Sequence, residues 1–210
     1  MFPVTHDGAR GFTMVELMVT LAIFGIMLAI GVPAMSKWVV QSKASGAGEL
    51  YSEGFAMARR QAVSHNAESR IVLTPNVNNG QMDWQVDICF PVTGTPCSDT
   101  SGTWSTPTTQ ASGDPEGANG YTSVFRAADA LPQSAILVPT LLPDGTSTIY
   151  FTALGWVDTS VANRLTRIQL DPAPQYSGQI PSTAVVVGLA GMASTCNPAV
   201  QSPDSRACPP

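Results

Sequence analysis

The sequence predicts an α+β protein in which a long N-terminal helix, its first half suited to a membrane, packs on an antiparallel β-sheet head. Three observations carry that expectation. Residues 12–32 form an apolar stretch of 21 residues with no Lys, Arg, His, Asn or Gln. Apolar residues then recur at helical spacing as far as residue 65. From residue 69 the period changes to that of short strands bounded by Pro, Gly, Asn or Asp.

The apolar stretch is long enough to cross a bilayer as a helix, which needs roughly 20 residues. Glu16 interrupts it near its start. A carboxylate carried deep into a bilayer costs on the order of 2.5–3.5 kcal/mol on insertion scales, so its presence calls for a reason. A secretory signal peptide would have a basic start, an apolar run of about 7–15 residues and a small-residue cleavage site after the run. Here the run is longer, the preceding His6, Asp7 and Arg10 are hydrophilic rather than basic, and the small residue Gly11 comes before the run. Cleavage after Gly11 keeps the apolar helix in the mature chain.

The segment Arg10-Gly11-Phe12-Thr13-Met14-Val15-Glu16-Leu17 resembles the class III signal of type IV prepilins and pseudopilins. The resemblance implies that a prepilin peptidase cuts after Gly11 and methylates Phe12. Glu16 is then the fifth mature residue, and Pro33 falls where pilin helices carry a kinking proline. A buried carboxylate is tolerable when paired with a cation, and the amine of Phe12 is the nearest mobile one. Within one helix that amine lies nearly a full turn away, so the expected partner belongs to a neighbouring subunit, and the pairing would set axial register during assembly. The plainer reading is an anchor glutamate that snorkels to the interface.

Beyond Pro33 the helical period runs through Trp38, Val39, Ala47, Leu50, Tyr51, Phe55, Ala58 and Ala62, and His65-Asn66 marks its end. A helix from about residue 13 to about residue 65 would be roughly 80 Å long at 1.5 Å per residue. Gly46, Gly48 and Gly54 each weaken it by about 1 kcal/mol relative to alanine, which makes local bending or melting an expectation. Arg10 stands against Lys37 and Lys43, so the positive-inside rule gives little guidance and orientation rests on the cleavage motif.

In the head, strands are expected at 69–74, 82–90, 135–138, 147–152, 164–170, 183–189 and 192–196, with Pro143-Asp144-Gly145 as a hairpin turn. Residues 91–120 contain 11 Ser or Thr, 5 Gly and 4 Pro in 30 positions. A loop of that length is functional or mobile, either a contact surface or a variable excursion. The four cysteines pair most simply as Cys89 with Cys97 and Cys196 with Cys208, although four cysteines allow three connectivities. Closing a loop of about a dozen residues would stabilise the head by roughly 3 kcal/mol. No metal is expected, because the cysteine spacings do not match zinc sites and His65 is the single histidine outside the leader.

A second resemblance is to the GspH/FimT family, which comprises H-type minor pseudopilins of type II secretion and the FimT and FimU minor pilins of type IV pili. It rests on Asp83-Trp84-Gln85-Val86, on Phe151 and Gly155 of a Phe-x-x-x-Gly element, and on residues 183–196, TAVVVGLAGMASTC. Some FimT-like members bind DNA through arginines after the last glycine. Here Gly191 is followed by Met192, Ala193, Ser194 and Thr195, and residues 66–210 hold 5 Arg, no Lys and 11 acidic residues. Phosphate contacts by cations dominate non-specific DNA affinity, so no nucleic-acid partner is expected.

No hydrolase, P-loop, dinucleotide or zinc motif is present, and neither an enzyme nor a cofactor is expected. Asp83 and Asp87 would share a strand face, read as solvated, and Asp144 belongs to its turn. The chain is 44% hydrophobic and 12% charged, with a net charge of −5, against about 25% charged for soluble proteins. That excludes a disordered chain and a free-standing basic nucleic-acid binder. Without residues 12–36 the charged fraction is still about 13%, so the low charge belongs to the head.

The expected organisation is a leader at 1–11, a transmembrane and assembly helix at 12–33, an amphipathic continuation at 34–65 and a periplasmic β-rich head at 66–210. The resemblance implies a minor pilin at or near a type IV pilus tip that helps to initiate assembly. Its alternatives are the H-type pseudopilin of a type II secretion system and a DNA-uptake or adhesive tip module. The expected partners are other pilin or pseudopilin subunits, the prepilin peptidase and the bacterial inner membrane. Mass spectrometry of the mature chain should find methylated Phe12 as its first residue; a retained leader would exclude every pilin-type reading.

Overall fold

The computed structural model describes residues 12–209. Helix α1 (Met14–His65) is followed by eight strands: β1 (Glu68–Pro75), β2 (Met82–Cys89), β3 (Val124–Arg126), β4 (Leu137–Leu142), β5 (Thr148–Phe151), β6 (Arg167–Pro172), β7 (Thr183–Val187) and β8 (Ala193–Cys196). They form two four-stranded sheets rather than one, in the orders β3-β2-β1-β5 and β4-β6-β7-β8. Every pairing is antiparallel, so the α+β expectation holds. Two compact units divide after Val40.

In the first unit the apolar residues 12–32 are exposed throughout. By length and composition this part of α1 is able to cross a membrane. The expected apolar stripe does not include Trp38 or Val39, which are both exposed. The helical assignment is continuous across position 33, while the side chain of Pro33 lies outside the described residues.

In the second unit α1 buries Ala44, Ala47, Tyr51, Phe55, Ala58 and Ala62, spaced three and four apart so that they share one face. Full burial of a side chain such as Phe55 stabilises the fold by about 1.5–3 kcal/mol. Small residues on this face let the helix backbone approach the strands closely. A Cβ at Gly54 would lie 2.8 Å from Ile71 Cδ1 and 3.1 Å from the Trp84 ring, and one at Gly48 would lie 3.3 Å from Thr183 Cγ2. Two of the glycines read as weak points are therefore sites of close helix–sheet contact, against different sheets. Gly46 faces open space.

Polar contacts fix the register of that contact. Trp84 Nε1 donates to the Leu50 carbonyl at 3.1 Å, Met82 N donates to Tyr51 Oη at 3.1 Å, and Ser69 Oγ donates to the Ala58 carbonyl at 2.7 Å. Burial raises the Tyr51 hydroxyl above the ordinary tyrosine range, so it stays neutral. The helix stops at Asn66, whose φ of 47° is left-handed. Asn is among the few residues that tolerate this, and Ala67 N reaches back to the Ala62 carbonyl at 3.1 Å.

Several sequence expectations need correction. Pro143-Asp144-Gly145 is a turn, with Thr146 N donating to the Pro143 carbonyl at 3.2 Å, but it is not a hairpin. β4 pairs with β6 and β5 pairs with β1, so the turn carries the chain from one sheet to the other. Turn chemistry is local, whereas the partner of β5 is decided by burial of Ile149, Tyr150 and Phe151. The strand expected at 135–138 continues to Leu142 through Pro139, because β4 is an edge strand, where a missing N–H is tolerated. The strand expected from residue 164 starts at Arg167. Leu165, which blurred the alternation, is buried by a separate contact in which its N–H donates to Thr148 O at 2.8 Å. The three-residue edge strand β3 was not expected at all.

Tyr51→Phe should lower unfolding stability by about 1–3 kcal/mol, because it leaves the Met82 N–H without its acceptor. Chemical denaturation of the full chain in detergent measures this, and an unchanged midpoint would show that the contact does not set the register.

Candidate functional site

Gly11, the expected processing site, and the expected leader at 1–11 lie outside the described residues. The helix begins directly behind Phe12. Thr13 accepts the Glu16 N–H on Oγ1 at 3.2 Å, and its carbonyl accepts the Leu17 N–H at 3.1 Å, which is the geometry of an N-cap. Thr13-Met14-Val15-Glu16 is also the sequence pattern of a capping box, a signal not used in reading the sequence. Glu16 thus stands in the first turn, where the helix dipole favours negative charge. The other hydroxyl of the apolar half, on Thr20, donates to the Leu17 carbonyl at 2.9 Å and so brings no unpaired polar group. Among the described residues the ion pairs are Arg70–Asp87 and Arg206–Asp204, so Glu16 has no cationic partner within the described chain.

On the head, Asp83 and Asp87 do share the β2 face opposite Trp84, but that face is not solvated. Both are buried. Asp83 Oδ1 accepts from the Ala128 N–H and from Asn76 Nδ2, each at 2.7 Å. Asp87 accepts from Arg70 Nε at 2.8 Å and Gln85 Nε2 at 2.7 Å. Each carboxylate is held by structural donors; Asp83 is covered from Asn76 and Ala128, and the Arg70 that pairs with Asp87 is covered by Trp104 of the Ser/Thr-rich segment 91–120.

That segment is braced at successive points. A disulfide joins Cys89 to Cys97. The Trp104 ring covers the Arg70 guanidinium at 4.4 Å and meets Tyr150 edge-on at 5.9 Å. Ser105 exchanges bonds with Ile88, its N–H donating to the Ile88 carbonyl at 2.9 Å and its Oγ accepting the Ile88 N–H at 3.0 Å. Ala111 is buried against Ala67 and Ile88. Tyr121 Oη donates to the Val86 carbonyl at 3.0 Å, and burial pushes its pKa up to about 12. The Tyr121 ring also lies 5.2 Å from that of His65. Composition could not reveal this bracing, because a hydroxyl-rich loop reads the same free or fixed.

The C-terminal tail is closed by a disulfide between Cys196 and Cys208. Asp204 there accepts two side-chain bonds from Arg206, at 3.1 and 2.8 Å, and one from the Arg206 backbone N–H at 2.9 Å, and these bonds, the side-chain ones first, hold its carboxyl down at about 2. Among the described residues no group of three His, Cys, Asp or Glu is placed to hold a metal ion.

Gly155 and Gly191 have φ of 76° and 74°, a region that favours glycine. A Cβ on Gly191 would collide with the Gly155 carbonyl oxygen, and both glycines abut the Arg59 side chain. Two turns, one after β5 and one between β7 and β8, are thereby held against α1. Val157 N donates to the Leu189 carbonyl at 3.0 Å and links them further.

Residues 7–32 match the family described as prokaryotic N-terminal methylation motif, and residues 47–191, more than half of the chain, match the family described as type II transport protein GspH. Comparison with curated proteins and with solved structures found no match.

Arg70→Ala should cost about 3 kcal/mol, because it leaves Asp87 buried without its counter-ion and removes the surface on which Trp104 rests. Thermal unfolding measures the loss, and near-ultraviolet circular dichroism should show a changed Trp104 environment before global unfolding.

Proposed function

The chain belongs to the GspH family of type II transport proteins, and on that premise we propose that it is a minor pilin incorporated at or near the tip of a type IV pilus, where it helps to initiate assembly. The family and the methylation motif make its role that of a minor pilin or pseudopilin subunit. The observation that carries the proposal is the first half of α1, an apolar surface exposed from end to end with one carboxylate in its first turn. In the membrane, lipid covers that surface. After extraction the helices of sibling subunits replace it.

In this reading prepilin peptidase removes residues 1–11 and methylates Phe12, the helix crosses the inner membrane once, and the head lies in the periplasm. Glu16 accepts the amine of a neighbouring subunit's first residue. Thr13 caps the helix, and the helix dipole at its first turn favours negative charge there, so the first turn presents Glu16 as an acceptor for a cation from outside the chain. The role is structural and uses no cofactor. The braced Ser/Thr-rich segment and the two disulfides suit a subunit whose head stays in an oxidising medium outside the cytoplasm. The description of the matched family supports the second reading, the H-type pseudopilin of a type II secretion system.

Glu16→Ala should insert into the membrane as the parent does yet be depleted from sheared fibres by about tenfold, read by immunoblot. Equal incorporation would remove Glu16 from register setting. A deletion strain that loses twitching and keeps secretion supports the pilus, and the reverse supports the pseudopilus.

A further inference from the structure

Arg59 and Arg60 lie next to each other near the end of α1, in the head unit. Neither takes part in the two ion pairs found among the described residues. Arg59 Nε is buried and has no hydrogen-bond partner, and the same is true of Ser52 Oγ. Both residues, with Arg60, line a cleft of about 340 Å³ closed on its other side by Gly191 and Met192. The stem of Arg59 is fixed by the crossing of Gly155 and Gly191, so its guanidinium is positioned without an anion.

Beside the cleft, Leu154, Trp156, Leu189 and Met192 are each at least 60% exposed. The Val157–Leu189 hydrogen bond and the contact of Gly155 with Gly191 bring them to one end of the head. Aromatic residues, Met and Arg without Lys or Glu are the composition of interface cores, and Trp and Arg dominate binding hot spots. A partly buried guanidinium lacking a counter-ion is costly. A carboxylate offsets that cost and accepts its donors in paired fashion.

We propose that this cleft docks a carboxylate side chain, flanked by apolar residues, from a different pilin-type subunit of the same fibre. The inference rests on the assembly role above. Arg59 and Arg60 bind the carboxylate, Ser52 Oγ donates to its second oxygen, and Trp156, Leu189 and Met192 cover the apolar flanks. A second copy of this chain is disfavoured by charge, since residues 66–210 carry 11 acidic residues against 5 Arg and would repel their like. DNA is disfavoured for the same reason.

The test is a photo-crosslinking amino acid placed at Leu189 in the full chain in cells, with Leu21 in the apolar half of α1 as the assembly control. The Leu189 probe should form an adduct with a different pilin-type subunit at a peptide containing Asp or Glu. Arg60→Glu should reduce its yield by about tenfold, and Arg in place of that partner carboxylate should restore it; Arg59 is spared because its stem is part of the fold. If Leu21 captures siblings and Leu189 captures none, the docking inference fails while the assembly role stands. If neither position captures siblings, both fail. An adduct indifferent to Arg60→Glu, an adduct with a second copy, or a DNA shift by the detergent-solubilised chain that Arg60→Glu abolishes would each overturn the proposed occupant.

Discussion

The head depends on how closely the second half of α1 approaches its strands. Gly54 leaves the Trp84 ring no room for a Cβ, and the same indole donates to a helix carbonyl one turn earlier. Tyr51 anchors the start of β2 in the same register. With Trp84 directed to the helix, alternation along β2 sends Asp83, Gln85 and Asp87 to the far face, where the long connection is fastened. On the helix itself, five residues past Gly54, Arg59 props the two turns that carry the exposed Trp156 and Leu189. A one-residue slip in this contact would displace both surfaces.

The arginines divide by what they do. Arg70 is satisfied within the subunit, ion-paired to a buried carboxylate and roofed by Trp104, and it fastens one segment of the chain to another. Arg59 and Arg60 have no such anion among the described residues. In a head this poor in charge, a cation without an anion is conspicuous. On such a surface a few placed charges suffice to select one orientation of contact.

The elements with an unbroken period and clear punctuation were the most legible. The helix from Met14 to His65, its left-handed stop at Asn66 and the strands β1, β2, β5 and β7 follow from period and punctuation. The sheet partners do not, because a turn such as Pro143-Asp144-Gly145 has the same local chemistry whether the flanking strands pair or part. Pro139 misled in the same way, since only the neighbour list of β4 distinguishes an edge from a centre. The depth at which Asp83 and Asp87 lie was invisible because their cover comes from residues tens of positions away. At the N-terminus the glycine–aromatic junction and Glu16 stood out. The capping role of Thr13 was equally written there, and the Arg59 crossing was not, since it joins α1 to two turns about 95 and 130 positions later.

The bracing of the hydroxyl-rich segment bears on resistance to proteolysis. From residue 71 to residue 125 the chain holds no lysine and no arginine, so proteases that cut after basic residues find no bond to cleave across 55 consecutive positions. The flanking Arg70 is locked between Asp87 and Trp104 inside a sheet. Enzymes that cut after aromatic residues meet Trp104 and Tyr121 half-buried and bonded to backbone carbonyls, and the more exposed Phe125 held in strand β3. A loop whose composition resembles that of a readily digested linker is thus made durable by where its few distinctive side chains are spent.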